Sequence, residues 1–243
     1  MLHSQFTTAK NFHVGTFAPS KSPSRTIQGI SRRPERRSDR VSLTYRSAKR
    51  AIDICAALIM LVLLAPLFAV VALLIKLTSR GPVLFAQNRV GKDGREFRFF
   101  KFRSMVVDAE AKKAELLNWN DHQDSITFKM KKDPRVTWIG KLIRRTSIDE
   151  LPQVWNVLVG DMSLVGPRPA VPQEVAKYTP QERKRLAVTP GLTCIWQVSG
   201  RGNIPFDGQV AMDLDYIRNR SLWLDLTLLA RTVPAVLSAR CAY

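Results

Sequence analysis

Apolar residues are spread very unevenly along this chain. Residues 1–45 are rich in Ser, Thr, Pro and Arg, and the run SRRPERRSDR at 31–40 has nothing to bury. That pattern predicts a disordered basic tail. Residues 54–75 read ICAALIMLVLLAPLFAVVALLI, 22 positions without a charge. About 20 apolar residues cross about 30 Å of hydrocarbon, and a soluble helix of that length keeps a polar face, so the run predicts a membrane segment. Pro66 divides it into pieces of 12 and 9 residues. These make about 18 and 14 Å of helix, each too short to cross alone. Arg46, Lys49 and Arg50 precede the run, and Lys76 and Arg80 follow it, so both ends carry the charge of a cytoplasmic flank. A helix that enters, breaks at Pro66 and returns satisfies both features. A spanning helix kinked at the proline is the alternative.

Beyond residue 80 the periodicity changes. Residues 82–105 read as a β-hairpin, with VLF leading in, GKDG at 91–94 as the turn and Phe97, Phe99 and Phe100 following. Residues 106–119 space their apolar positions three and four apart and predict a helix. Residues 221–239 are apolar but interrupted by Asp225 and Arg231. They fit either an amphipathic helix on a membrane surface, with Trp223 at the interface, or a core helix. The expected fold class is α+β, mainly helical and monotopic: a tail at 1–45, a broken re-entrant membrane helix at 46–80, and a catalytic domain on the cytoplasmic face at 81–243.

Charge narrows the partners. The 243 residues hold 38 Lys and Arg against 20 Asp and Glu, a net +18, and residues 51–243 alone carry +9. Anionic partners follow: nucleic acid, anionic lipid or phosphorylated substrates. Three cysteines without a CxxC argue against a disulfide framework or a cysteine zinc site. Of three histidines, His3 and His13 fall in the tail and leave only His122, so enzyme chemistry here rests on carboxylates.

Four segments can carry that chemistry. RRTSIDELPQVWNVL at 144–158 places Asp149 and Glu150 side by side after two arginines. On a helix they diverge by about 100°, so one can face a substrate as a nucleophile while the other reaches Mg²⁺. The same text is also an S-x-x-E capping box from Ser147 to Glu150, a purely structural use. In GDMSLVGPRPA at 160–170, Pro167 and Pro169 restrict the backbone around Arg168 and present its guanidinium to phosphate, or simply form a rigid turn. In KFRSM at 101–105, Lys101 and Arg103 alternate with Phe102 and share a face, either as a phosphate site or as a basic sheet edge. PGLTCIWQVSGR at 190–201 offers Gln197 and Arg201 in a glycine-bounded loop. No P-loop, dinucleotide fingerprint, HExxH or GxSxG occurs.

These segments, with KRAID at 49–53, Pro66, GP at 81–82, FAQNRVG at 85–91, DPR at 133–135 and DLDY at 213–216, together resemble the bacterial sugar transferase family. Its members are small monotopic polyprenyl-phosphate sugar-1-phosphate transferases that start exopolysaccharide, capsule and O-antigen synthesis. The resemblance covers about 195 residues and excludes 1–45. It implies a helix broken near Pro66 and a ping-pong reaction. Asp149 attacks the sugar-bearing phosphate of a UDP-sugar, UMP leaves, and the aspartyl-phosphosugar passes to undecaprenyl phosphate. It further implies that Glu150 helps hold Mg²⁺, that Arg168 with Pro167 and Pro169 binds the nucleotide sugar, and that Lys101, Arg103, Gln197 and Arg201 belong to the substrate site. Galactose and glucose are the leading sugars. The inner membrane is the location, downstream glycosyltransferases are partners, a homodimer is allowed, and nucleic acid is not expected. A catalytically silent, membrane-tethered basic scaffold, or an anionic-lipid or nucleic-acid binding protein, is the competing class. One departure stands out: the family pattern PGxTGxWQ has glycine where this chain has Cys194, which raises the question of whether the loop needs glycine's positive φ.

Overall fold

The computed structural model describes residues 43–109, 111–112, 130, 133–200 and 203–237. The tail up to 42, most of the helix expected at 106–119, His122 and Arg201 lie outside the described residues.

The apolar run forms the core of one 36-residue helix, α1 (Leu43–Thr78), with Pro66 inside it. The helix runs through Pro66, which removes one backbone hydrogen bond near the middle of the apolar run and is the place where the element can bend; the bonds on either side keep it whole. The buried positions Asp53, Ala57, Val71 and Ile75 recur on one face of α1 in both halves. Leu58, Ile59, Val62, Leu63, Val70, Leu73 and Leu77 point outward and are exposed. A single 36-residue helix therefore carries an apolar outer face along its length, long and apolar enough to cross a membrane.

The hairpin is as expected. Strands β1 (Leu84–Val90) and β2 (Glu96–Phe102) pair antiparallel, from Leu84 opposite Phe102 to Val90 opposite Glu96. Its turn places Gly94 at φ 81°, where a side chain would be strained. Helix α2 (Trp138–Arg145) begins at Thr137, whose hydroxyl accepts from the Gly140 N–H. It buries Ile139 and Ile143 against Val71, Ile75 and Phe102.

A tight turn at Ile148–Glu150 leads to helix α3 (Gln153–Val159). Val154 and Val157 of α3 pack with Ala57, Phe99 and Leu164 in the largest core cluster. Gly160 ends α3 at φ 100°, and Arg50 of α1 donates to the last carbonyls, Val157 O at 2.6 Å and Leu158 O at 2.7 Å. A cation on the unsatisfied carbonyls of a helix end is favourable.

Strands β3 (Ser163–Val165) and β4 (Gly191–Thr193) form a short parallel pair. Between them lie α4 (Pro172–Ala176) and α5 (Pro180–Arg183). After β4 come α6 (Ile195–Ser199), α7 (Phe206–Asn219) and α8 (Leu222–Leu237). Helix α8 is amphipathic, with one side in the core and an apolar side left outward. Leu228 is in the core, while Trp223, Leu226 and Val233 face outward, Trp223 at 78% exposure. Asp225 on its inner side accepts from Tyr45, Lys49 and Tyr216, tying α8 to α1 and α7. The fold is mainly helical with few strands, and its long apolar helix and outward-facing α8 fit a monotopic membrane protein.

Candidate active site

The turn Ile148–Glu150 is built differently from a capped helix start. Ser147 sits in the left-handed region at φ 57° and its hydroxyl makes no cap, so the capping box does not form. The backbone of Glu150 instead donates to Ser147 O at 3.2 Å. Pro152 falls at the N-cap of α3, where its missing N–H costs nothing, rather than inside the helix. The turn buries Asp149 to 6% exposure and leaves Glu150 half-buried beside it.

Both carboxylates line a cavity of about 630 Å³. Lys101, Arg144, Arg168 and Gln197 share its polar end; Met60 of α1, Leu192 of β4, and Leu229 and Val233 of α8 make the apolar side. Lys101 Nζ donates to Glu150 Oε1 at 2.7 Å, and Arg168 grips Glu150 with both terminal nitrogens, Nη1 reaching Oε2 at 3.1 Å and Nη2 reaching Oε1. Burial alone would raise the Glu150 pKa. The Arg168 guanidinium and Lys101 ammonium outweigh it and hold the carboxyl well below the usual range. Among the described residues Asp149 has no such partner. Burial pushes it up to about 6, aided by Glu150 and opposed by Lys101, Arg144 and Arg168. Two adjacent carboxyls thus differ sharply: one is locked as an anion by cations, the other is poised near neutrality.

Arg168 is aimed by its neighbours. Pro167 O accepts from the Gly191 N–H at 2.9 Å, and Pro169 O from Arg89 Nη1 at 3.0 Å. Gly166 and Gly191 make this possible, since a Cβ on Gly191 would fall 2.0 Å from Gly166 N. Pro167 and Pro169 therefore flank the cavity as backbone supports, and only Arg168 enters it.

Lys101 and Gln197 reach the cavity as expected, but Arg103 does not. Strand β2 ends at Phe102, and Arg103 turns to donate to Ser79 O at 2.8 Å and Ser79 Oγ at 2.7 Å. It clasps the end of α1, away from the cluster. Arg144, Thr193, Trp196 and Thr232 line the cavity and were not singled out in the sequence as site residues. Arg144 had a signal, since it precedes the carboxylate pair by five residues. The others follow only from the way β4, α6 and α8 meet.

Cys194 needs no positive φ. Its backbone is extended at φ −150°, ψ 172°, which any residue adopts. The thiol is 2% exposed and donates to Gln197 Oε1 at 3.1 Å. Cys194→Gly is therefore expected to keep activity within a few-fold while losing about 1 kcal/mol of stability from the small cavity left behind. Steady-state turnover and a urea melt check this; loss of all activity would mean the thiol has a role beyond packing.

Among the described residues, no three Asp, Glu, His or Cys side chains gather into a metal cage. The Asp149–Glu150 pair instead matches the donor set of a Mg²⁺ held by one or two carboxylates and completed by substrate phosphates.

Residues 44–239 match the bacterial sugar transferase family, and the chain belongs to it. It is 49% identical over 194 residues to the galactosyl transferase CpsE of Streptococcus agalactiae, covering 78% of this chain and 42% of that protein. It is 42% identical over 203 residues to the undecaprenyl-phosphate galactose phosphotransferase of Salmonella typhimurium, 82% of this chain and 42% of the relative. The exopolysaccharide production protein ExoY of Rhizobium meliloti is 39% identical over 199 residues, with 81% of this chain and 88% of the relative covered. The chain thus spans under half the length of the first two relatives and most of the third.

Proposed function

We propose that this protein is an undecaprenyl-phosphate hexose-1-phosphate transferase that starts exopolysaccharide synthesis. The observation that carries the reading is the cavity itself. It joins an acidic pair and three cations, Lys101, Arg144 and Arg168, at one end to the apolar faces of α1 and α8 at the other. A charged diphosphate and a lipid phosphate need both kinds of surface at once. The names of the Salmonella and Rhizobium relatives support the acceptor and the pathway.

Asp149 Oδ attacks the sugar-bearing phosphorus of a UDP-sugar. The bond from that phosphorus to the oxygen bridging the two phosphates breaks, and UMP leaves with that oxygen. A phosphate oxygen of undecaprenyl phosphate then attacks the same phosphorus and the aspartyl–phosphorus bond breaks, freeing Asp149. Arg168 and Lys101, placed on Glu150, neutralise phosphoryl charge as it redistributes. Glu150 is the residue that would hold Mg²⁺, which when bound would supply further neutralisation of the diphosphate. The burial of both halves of α1 against the same domain supports re-entry, with both ends on the cytoplasmic face of the inner membrane. Galactose and glucose remain the leading sugars. A homodimer and hand-off to downstream glycosyltransferases belong to the same proposal, and no role for nucleic acid does.

The test is UMP release by the full chain in nanodiscs with undecaprenyl phosphate, Mg²⁺ and a panel of UDP-sugars. Release is expected with one hexose, dependent on Mg²⁺. Folded protein that releases UMP from none of them would favour the silent-scaffold reading.

A further inference from the structure

Strand β3 is three residues long, and its pleat sends alternate side chains to opposite faces. Leu164 lines the reaction cavity, whereas Ser163 and Val165 line a second cavity of about 200 Å³ on the other side. The walls of that cavity carry Arg46, Lys49 and Arg50 from α1, Lys92 from the hairpin turn and Arg220 after α7, against the single carboxylate Asp53.

Part of this charge is already engaged. Lys49 pairs with Asp225 at 2.9 Å, Arg50 caps α3, and Asp53 accepts from the Leu164 N–H at 3.0 Å. Among the described residues, Arg46 and Arg220 have no carboxylate partner, and Lys92 has only Asp93 at 3.9 Å. The buried Arg220 Nε and Ser163 Oγ have no hydrogen-bond partner among them either. Buried polar groups are normally satisfied, so the unspent Ser163 hydroxyl and Arg220 Nε, in a concavity shared with Arg46 and the loosely paired Lys92, ask for an anion.

We propose that this cavity is a second anion site, separate from the reaction centre, which takes one phosphate group. Its size is below the ~300 Å³ of sites that hold small organic ligands, which fits a phosphate headgroup and not a nucleotide. Its arginines and lysines on α1 lie one to two turns before the uncharged run that begins at Ile54. That is the depth of phospholipid phosphates, so an anionic headgroup is the source at hand, with free phosphate as the other source of the same chemistry.

The full-length protein in detergent is titrated with phosphatidylglycerol, phosphatidylcholine or inorganic phosphate, and bound ligand is counted by native mass spectrometry. One phosphatidylglycerol is expected to bind at least about tenfold more tightly than phosphatidylcholine. The Arg46→Gln/Arg220→Gln double variant should weaken it about a hundredfold, since each charge-assisted contact is worth about a factor of ten or more. Arg46→Lys/Arg220→Lys should recover most of that loss, which a folding defect would not, and Arg218→Gln, on the exposed side of α7, should change nothing. Arginine-dependent binding of inorganic phosphate without that of phosphatidylglycerol keeps the site and assigns it to a soluble phosphate. Binding of both ligands unaffected by the double variant overturns the proposal. None of these readouts depends on turnover.

Discussion

Asp149→Asn should remove at least about a thousandfold of the turnover and at the same time make the protein harder to unfold. The loss follows from its proposed role, because an amide cannot replace the attacking oxygen. The gain follows from burial. The folded-state pKa of Asp149 lies at about 6, above its ordinary 3.8, because burial disfavours the charge. For an acid raised in this way, the penalty on folding grows as the pH rises from the unfolded pKa to the folded one, is complete above about 6, and is gone below 3.8. Holding the carboxylate ionised in the fold at neutral pH therefore costs about 3 kcal/mol. The variant should melt several degrees higher than wild type at pH 7.5 and about equally only near pH 3, below the ordinary carboxyl pKa. The same titration gives wild-type turnover a rising limb near pH 6. A variant that melts lower at pH 7.5 would show that Asp149 is stabilised by its cations rather than strained by burial.

Glu150→Gln should act in the opposite direction on stability and the same direction on activity. Glu150 is the shared counter-charge of Lys101 and Arg168. Neutralising it leaves two half-buried cations facing each other, at a cost of about 3 kcal/mol. Its folded pKa lies below the ordinary value, so its contribution is present at neutral pH and is lost as pH falls through the acid range. Turnover should fall more than about a hundredfold, because Arg168 loses the partner that aims it. Adding Lys101→Met should restore part of the stability and none of the activity. Chemical denaturation at pH 7.5 with parallel UMP assays separates the two effects; an unchanged melting curve would mean that solvent screens the pair.

Much of this arrangement is legible in the sequence, though not evenly. The hairpin turn GKDG and the long apolar helix follow from local chemistry, and both appear where expected. The two carboxylates and Arg168 are legible as a motif, but their geometry is not. Ser147 reads as a helix cap only if its backbone is extended, and tertiary packing drives it to φ 57° instead. Lys101 and Arg103 would share a face in an unbroken strand, yet the strand stops between them and Ser79 captures the arginine. Pro66 reads as a break from backbone chemistry alone, and in the fold it costs α1 one bond, which permits a bend without ending the helix. The cavity's apolar wall was invisible, because Met60 and Val233 are 173 positions apart and meet only through the fold.

The contact between Arg50 and the end of α3 has a practical corollary. The helix that follows the two carboxylates is terminated by a guanidinium supplied from the apolar helix, and the main core cluster includes Ala57 from that same helix. Cutting the chain at residue 80 to obtain a water-soluble enzyme would strip the carbonyls of Val157 and Leu158 and open the core beneath Val154. The anchor is thus part of the working parts, and preparations of this protein stand or fall on keeping it attached.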